Sequence, residues 1–407
     1  MDLEQTHTTA PDPTRRRVIT GAAALGASAL LGHAPAILAQ SKAPLKIGVL
    51  NSFSKVFAAL GNANLNGFTM YIEQQGGMFA GRKVEIIRED DEINPQVGLQ
   101  KLKKLVESDN CDLITGVQAS NVALACIDYV RQSKTFWLCN GAGVADLSYT
   151  GIPYLFRCSI STQPIHATMG EWFYDNVAKE AVTSASDFAG GRATVGEFKA
   201  GFGKKGGKIT KEIYPPLGNN DFSPYLADIR SLNPSATFNF YAGTDAVRFV
   251  KQYDEYGLKT KTKLTSSGFM VDSDTLPAQG KSALGVLNSL HYAESLDNPE
   301  NKKFVADYRA KFKDYPSVYS EYGYVCALIL HQALQAVDGN TQDKDKLRTA
   351  MRALQLKLPR GPFRFNEITQ SPIQNVYIRE VAEIDGRIAN KVIHTVPNVV
   401  EPPTKTI

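Results

Sequence analysis

The chain has 407 residues, 43% hydrophobic and 21% charged, with a formal net charge of +4. That length suits two or three domains, and the composition is that of an ordinary globular protein. The mild charge, without a run of five like charges, argues against a nucleic-acid groove or a polybasic membrane patch.

The N-terminus opens differently. "TRRRVITGAAALGASALLGHAPAILAQ" sets Arg15, Arg16 and Arg17 before a weakly apolar Ala/Gly/Leu stretch that closes on small residues. This order marks residues 1–39 as an export signal, with the paired arginines of a twin-arginine type. The competing reading, a buried Ala-rich helix, is weakened by Gly21, Gly26, Gly32 and Pro35. Beyond Gln40 there is no run of 18 apolar residues, so no membrane span is expected. The mature chain is expected to be soluble and periplasmic.

From Lys46 strands and helices alternate with short connections. "LKIGVL" reads as a strand, "LNGFTMYIEQQGG" as a helix stopped by Gly76 and Gly77, and "RKVEIIRED" as a strand. Asn94 and Pro95 announce the next helix as N-cap and first helical residue. "CDLITG", "SNVALACIDYVRQS" and "TFWLCNG" continue the rhythm. It restarts near Ile160, and two segments resemble each other, "QQGGMFAGRKVEII" and "KKGGKITKEI". Two similar lobes with parallel sheets follow from this pattern. Three helical segments come after Leu290, then a strand-rich tail from Gly361.

Chemistry is sparse. GxxxxGK[ST] and GxGxxG loops, an HExxH pair and a GxSxG elbow are all missing, so no enzyme, metal or cofactor is expected. Five cysteines (Cys111, Cys126, Cys139, Cys158, Cys326) lack CxxC spacing and read as buried small side chains. The acidic "REDDE" of Arg88–Glu92 reads as an exposed, solvated turn. What stands out is a row of strand ends followed by small, polar or aromatic residues: "NSFSKVF", "GVQASNV", "CNGAGV", "SDFAGG", "YAGTDA" and "TSSGFM". Ligands of open parallel sheets bind at such ends.

At this point the chain resembles the type I periplasmic solute-binding proteins of ABC transporters, in the branched-chain amino acid (Leu/Ile/Val) branch. The likeness rests on "KIGVLNSFSKVFAALG", "GGMFAGRKVEIIREDDEINP", "GTDAVRFVKQYDEYGLKT" and "FVADYRAKFKDYPSVYSEYGYVCALILHQAL". It implies an α/β fold of two Rossmann-like lobes joined by a three-stranded hinge. Lobe I would hold residues 45–160 and 292–366, and lobe II residues 161–291 and 367–401. The partners implied are a small-molecule ligand, an ABC permease and, through it, a separate ATPase, with the binding protein a monomer.

Carried over residue by residue, the resemblance places the ligand among Ser54 and Phe57, then Gln118, Ser120 and Asn121, then Asn140, Gly141, Ala142 and Gly143 of lobe I. Phe188, Thr244, Ser267 and Phe269 would face them from lobe II. Amino-acid binders of this branch carry an acidic residue near the Ser267–Phe269 loop, and this chain has none there. An unpaired buried ammonium costs several kcal/mol, so an aromatic or other apolar carboxylate is expected instead. Asp245 reads as a helix cap and Arg157 as half of a structural ion pair. The alternatives are a branched-chain amino acid or amide binder, and a ligand-sensing receptor or regulator of the same fold.

Overall fold

The computed structural model describes residues 42–405; the expected export signal lies outside them. A first lobe begins at strand β1 (Leu45–Asn51), buried along nearly its whole length because helices cover both faces. Around it the chain winds α1 (Ala58–Gln74), the short β2 (Met78–Phe79), β3 (Arg82–Asp90) and α2 (Pro95–Lys103). Then follow β4 (Leu113–Gly116), α3 (Ser120–Ser133), β5 (Trp137–Cys139) and β6 (Leu155–Arg157). The six strands lie in the order β2-β3-β1-β4-β5-β6, parallel except for β2. Asn94 does cap α2, its side chain accepting from the N–H groups of Gln96 and Val97.

Residues 158–161 lead into a second lobe. It contains α4 (Thr162–Asn176), β7 (Glu180–Ala185), α5 (Ala189–Lys204), β8 (Lys208–Ile213) and α6 (Ser223–Leu232). β9 (Ala236–Phe240), α7 (Thr244–Glu255), β10 (Lys263–Ser267), the one-turn α8 (Leu276–Gln279) and β11 (Leu287–Leu290) complete it. The chain then returns to the first lobe for α9 (Pro299–Phe312), α10 (Val318–Ala336), α11 (Lys344–Ala353), β12 (Gln355–Leu358) and β13 (Gly361–Phe365). α10 lies along α1.

Two long strands end the fold, β14 (Pro372–Ile384) and β15 (Arg387–Val399). β14 pairs antiparallel with β11 and, near its start, with β13. The second sheet therefore runs β12-β13-β14-β11-β10-β9-β7-β8, with β15 alongside β14. The chain passes from the first sheet to the second after β6. β13, with β12 beyond it, stays bonded to β14 in the second sheet, while Leu358, Phe363 and Phe365 pack into the large core that contains β1 and α10. The final tail adds a contact not expected from the sequence. Glu401 is buried, accepts from Ser161 Oγ, and its carbonyl accepts from the Asn366 amide. Lys405 then pairs with Asp146 of the first lobe at 2.8 Å.

The acidic turn needs correction. Arg88, Glu89 and Asp90 belong to β3, and Asp91 is fully buried, accepting from Ser52 Oγ at 2.7 Å. Burial raises the Asp91 carboxyl pKa although Ser52 and the Ile93 N–H oppose the shift. Glu89 instead meets Lys101 and Lys104, both at 2.7 Å. The cysteines are all free; four are buried and Cys111 is partly so. Among the described residues no helix is long and apolar enough to cross a membrane.

Candidate functional site

The strand ends of the two lobes face each other across one small cleft. From the first lobe come Phe57 and Leu60 at the start of α1, Gln118 and Ser120 at the start of α3, and Gly141, Gly143 and Val144 after β5. Tyr319, in the first turn of α10, joins them. The second lobe supplies Thr162, then Phe188, Gly190 and Thr194 around α5, with Phe240, Ala242 and Phe269 at the ends of β9 and β10.

Five rings form a continuous wall. Phe57 meets Phe188 edge-on at 6.0 Å, Phe188 meets Phe240 at 6.0 Å, Phe240 meets Phe269 at 6.1 Å, and Phe269 meets Tyr319 at 5.8 Å. The first and last contacts join one lobe to the other, so the wall is complete only when the lobes are closed. Gly243 makes the same point in backbone: at φ 58° it lies so near Val56 that a Cβ would sit 2.1 Å from that carbonyl oxygen. A side chain there would hold the lobes apart.

The polar pole of the cleft is the start of α3. Its N-cap is Ala119, which has no side chain to accept from the first-turn N–H groups. Those donors and the Ser120 hydroxyl suit a negative group. No charged side chain is among the described residues lining the cleft. An ammonium would therefore lose its hydration without gaining a carboxylate.

Behind the wall runs a buried relay. Ser267 Oγ lies 2.8 Å from His166 Nε2, His166 Nδ1 lies 3.2 Å from Glu197 Oε2, and Glu197 Oε1 lies 2.8 Å from Thr162 Oγ1. Thr162 Oγ1 donates to the Gly143 carbonyl at 2.8 Å. Burial pulls the His166 pKa down to about 3 and pushes Glu197 well up, despite the opposing hydrogen bond from Thr162. His166 is thus a neutral imidazole at neutral pH. Thr162 Oγ1 stands 2.8 Å from both Glu197 Oε1 and the Gly143 carbonyl, tying the buried relay to the 140–143 loop.

Of the residues expected from the sequence, Phe57, Gln118, Ser120, Gly141, Gly143, Phe188 and Phe269 come together here. The other six lie outside the lining. Ser267 faces His166. The Asn140 amide donates to Asn64 Oδ1, and the N–H groups of Asn140 and Ala142 donate to the Gly116 and Val117 carbonyls. The expectation that backbone donors throughout 140–143 hold an acid is therefore corrected for those two residues. Asn121 donates its amide to the Ile93 carbonyl, and Thr244 Oγ1 is 3.4 Å from Arg248 Nη1. Ser54 sits just before the turn that carries Phe57.

Two further readings change. Asp245 does not cap α7, whose N-cap is Gly243. It accepts from the Gly218 N–H at 2.8 Å and from Ser186 Oγ at 3.3 Å, pinning a loop of its own lobe. Arg157 has no carboxylate at ion-pair distance among the described residues; it donates to Ser148 Oγ and to the Ala142 carbonyl, bracing the 140–143 loop. Thr162, Thr194, Phe240 and Tyr319 were not expected from the sequence. Phe240 alone had a signal, because it ends the strand "ATFNF" directly before "YAGTDA".

Comparison with known proteins agrees with this architecture. A profile described as periplasmic binding protein matches residues 44–387. The chain belongs to the periplasmic binding protein family. It resembles a solute-binding protein of an ABC transporter from R. palustris, solved in complex with benzoate. That chain is 30% identical, with a TM-score of 0.83, covering 88% of this chain and 98% of that one. A second, from Rhodopseudomonas palustris BisB5 in complex with 3,4-dihydroxybenzoic acid, is 31% identical with a TM-score of 0.84, covering 88% and 99%. A Brucella melitensis relative, Leu/Ile/Val-binding protein homolog 6, is 29% identical over 360 residues, 86% of this chain and 91% of its own length.

Proposed function

We propose that this protein captures a small aromatic carboxylate in the periplasm and presents it to the permease of an ABC uptake system. The observation that carries the reading is the five-ring wall facing the uncapped start of α3, with no charged side chain in the lining. An aromatic ring buried on such a wall contributes roughly 25 cal/mol per Å² of apolar surface, while Ser120 and the α3 N–H groups receive the carboxylate. The solved relatives that hold benzoate and 3,4-dihydroxybenzoate support this ligand class.

In this reading the protein acts as a monomer and makes or breaks no bond. Ligand touching both walls stabilises the closed form and so shifts the hinge equilibrium. The lobes divide at residues 45–160 and 292–366 against 161–291 and 367–401, with residues 1–39 removed on export. ATP hydrolysis belongs to a separate subunit reached through the permease.

A second reading, an amino-acid binder, has the Brucella relative in its favour. Titrating benzoate and leucine into one preparation by calorimetry separates the two. Benzoate should bind with at least tenfold higher affinity. Submicromolar leucine binding without response to aromatic acids would return the protein to the amino-acid branch.

A further inference from the structure

The relay and the α3 pole account for the Thr162 and Ser120 hydroxyls, but two buried polar atoms of the cleft lining have no partner: Gln118 Oε1, beside the α3 pole, and Thr194 Oγ1, away from it on α5. Thr194 lies in α5, 1% exposed, and its Oγ1 has no hydrogen-bond partner. A buried threonine within a helix has an easy partner, the carbonyl four residues earlier. Other helical hydroxyls of this protein take it: Thr69 donates to Leu65, Thr168 to Pro164, Thr349 to Asp345 and Ser133 to Tyr129. The Thr194 hydroxyl makes no such bond to the Gly190 carbonyl and lines the cleft instead.

An unsatisfied buried hydroxyl costs about 1–3 kcal/mol, and a wall otherwise made of aromatic rings would be served better by valine. We propose that Thr194 is a specificity residue that reads a hydroxyl on the ring of the ligand, so the preferred substrates are phenolic carboxylates rather than unsubstituted benzoate. This rests on the aromatic-acid reading above. The placement is consistent with it. Gly190, one helical turn (about 5.4 Å) before Thr194, faces Ser120: a Cβ on Gly190 would lie 3.2 Å from Ser120 Oγ. A carboxylate at Ser120 thus leaves the body of the ring running along α5 toward Thr194. A site built to bond a substrate hydroxyl discriminates against the analogue lacking it, because its own polar group is then stranded.

The test is a calorimetric panel of benzoate and its 2-, 3- and 4-hydroxy derivatives against wild type, Thr194→Val and Thr194→Ser. Wild type should prefer one hydroxylated isomer over benzoate by roughly 5- to 30-fold. Thr194→Val should erase that preference, and Thr194→Ser should keep it. An equal preference in Thr194→Val, or none in wild type that binds benzoate, overturns the role of Thr194. Wild type that binds no member of the panel overturns the aromatic-acid reading itself. The wild-type comparison decides even if the valine variant fails to fold.

Discussion

Asp272, in the second lobe, accepts the backbone N–H of Val318 at the first turn of α10 in the first lobe, at 2.6 Å. The same carboxylate lies 3.3 Å from Arg379 of β14, and both side chains are buried. One carboxylate therefore caps a helix across the cleft and balances a buried cation on its own side. Removing it leaves the Val318 N–H without its acceptor and the Arg379 charge without a carboxylate, with only the neutral acceptors Asn288 Oδ1 and the Tyr292 and Gly268 carbonyls remaining. Asp272→Ala should lower unfolding free energy by about 3–5 kcal/mol, the cost of stranding a buried charge. Asp272→Asn, which keeps an acceptor, should cost less than the alanine. Urea unfolding measures the loss, and small-angle scattering of the unliganded protein should show a larger radius of gyration. Wild-type stability and scattering for the alanine variant would mean the link holds nothing.

Ser120 is expected to provide a hydrogen bond to the ligand carboxylate. Ser120→Ala should weaken binding of an aromatic acid by about 1–2 kcal/mol, roughly 5- to 30-fold, without altering the unfolding midpoint by more than a degree or two. Unchanged affinity by calorimetry would place the carboxylate elsewhere in the cleft.

Gly190 offers the opposite dissection of fold from function. A Cβ there would lie 2.8 Å from the Phe188 ring and 3.2 Å from Ser120 Oγ. Helix propensity favours alanine over glycine by roughly 1 kcal/mol. Gly190→Ala should therefore leave the unliganded protein as stable as wild type or more so, while affinity falls at least tenfold (about 1.4 kcal/mol) as Phe188 is displaced. Thermal unfolding with and without ligand reads both effects; undiminished affinity would show that Phe188 has room to yield.

His291 sets an acid limit to stability. Its ring stacks on Tyr322 at 5.3 Å, and neither ring nitrogen has a partner. Burial, reinforced by Arg360 and Arg379, pulls its pKa well below 6.5. The folded state thus holds the ring neutral while the unfolded chain takes up a proton below about pH 6.5. Stability from this group is complete above that pH and is lost as pH falls, by about 1.4 kcal/mol per unit. His291→Phe keeps a stacking ring and removes the titration, so its unfolding free energy should decline less than wild type between pH 6.5 and 4.5. Parallel acid limbs would assign the decline to other groups.

Much of this protein was legible in its sequence because the signals were local. Strand–helix alternation from Lys46, the Asn94–Pro95 helix start and the three late helices depend on near-neighbour periodicity and capping, and each appears within a few residues of its expected place. Small and aromatic residues after strands marked the rim of the cleft for the same reason, since parallel sheets present ligands at those ends. Which of those residues face the cleft was decided by tertiary contacts. Ser267 and Asn140 stand at the right strand ends, yet His166 and Asn64, distant in sequence, engage them first. Thr162, Thr194 and Tyr319 sit inside or at the start of helices, where nothing nearby in the chain distinguishes a cleft-facing hydroxyl or ring from a buried one. The burial of Asp91 and the crossing of Glu401 back toward the hinge likewise follow from packing between remote segments. Periodicity along a chain dictates which face of an element is apolar; only the meeting of two lobes determines which polar group on that face is left without a partner and open to a ligand.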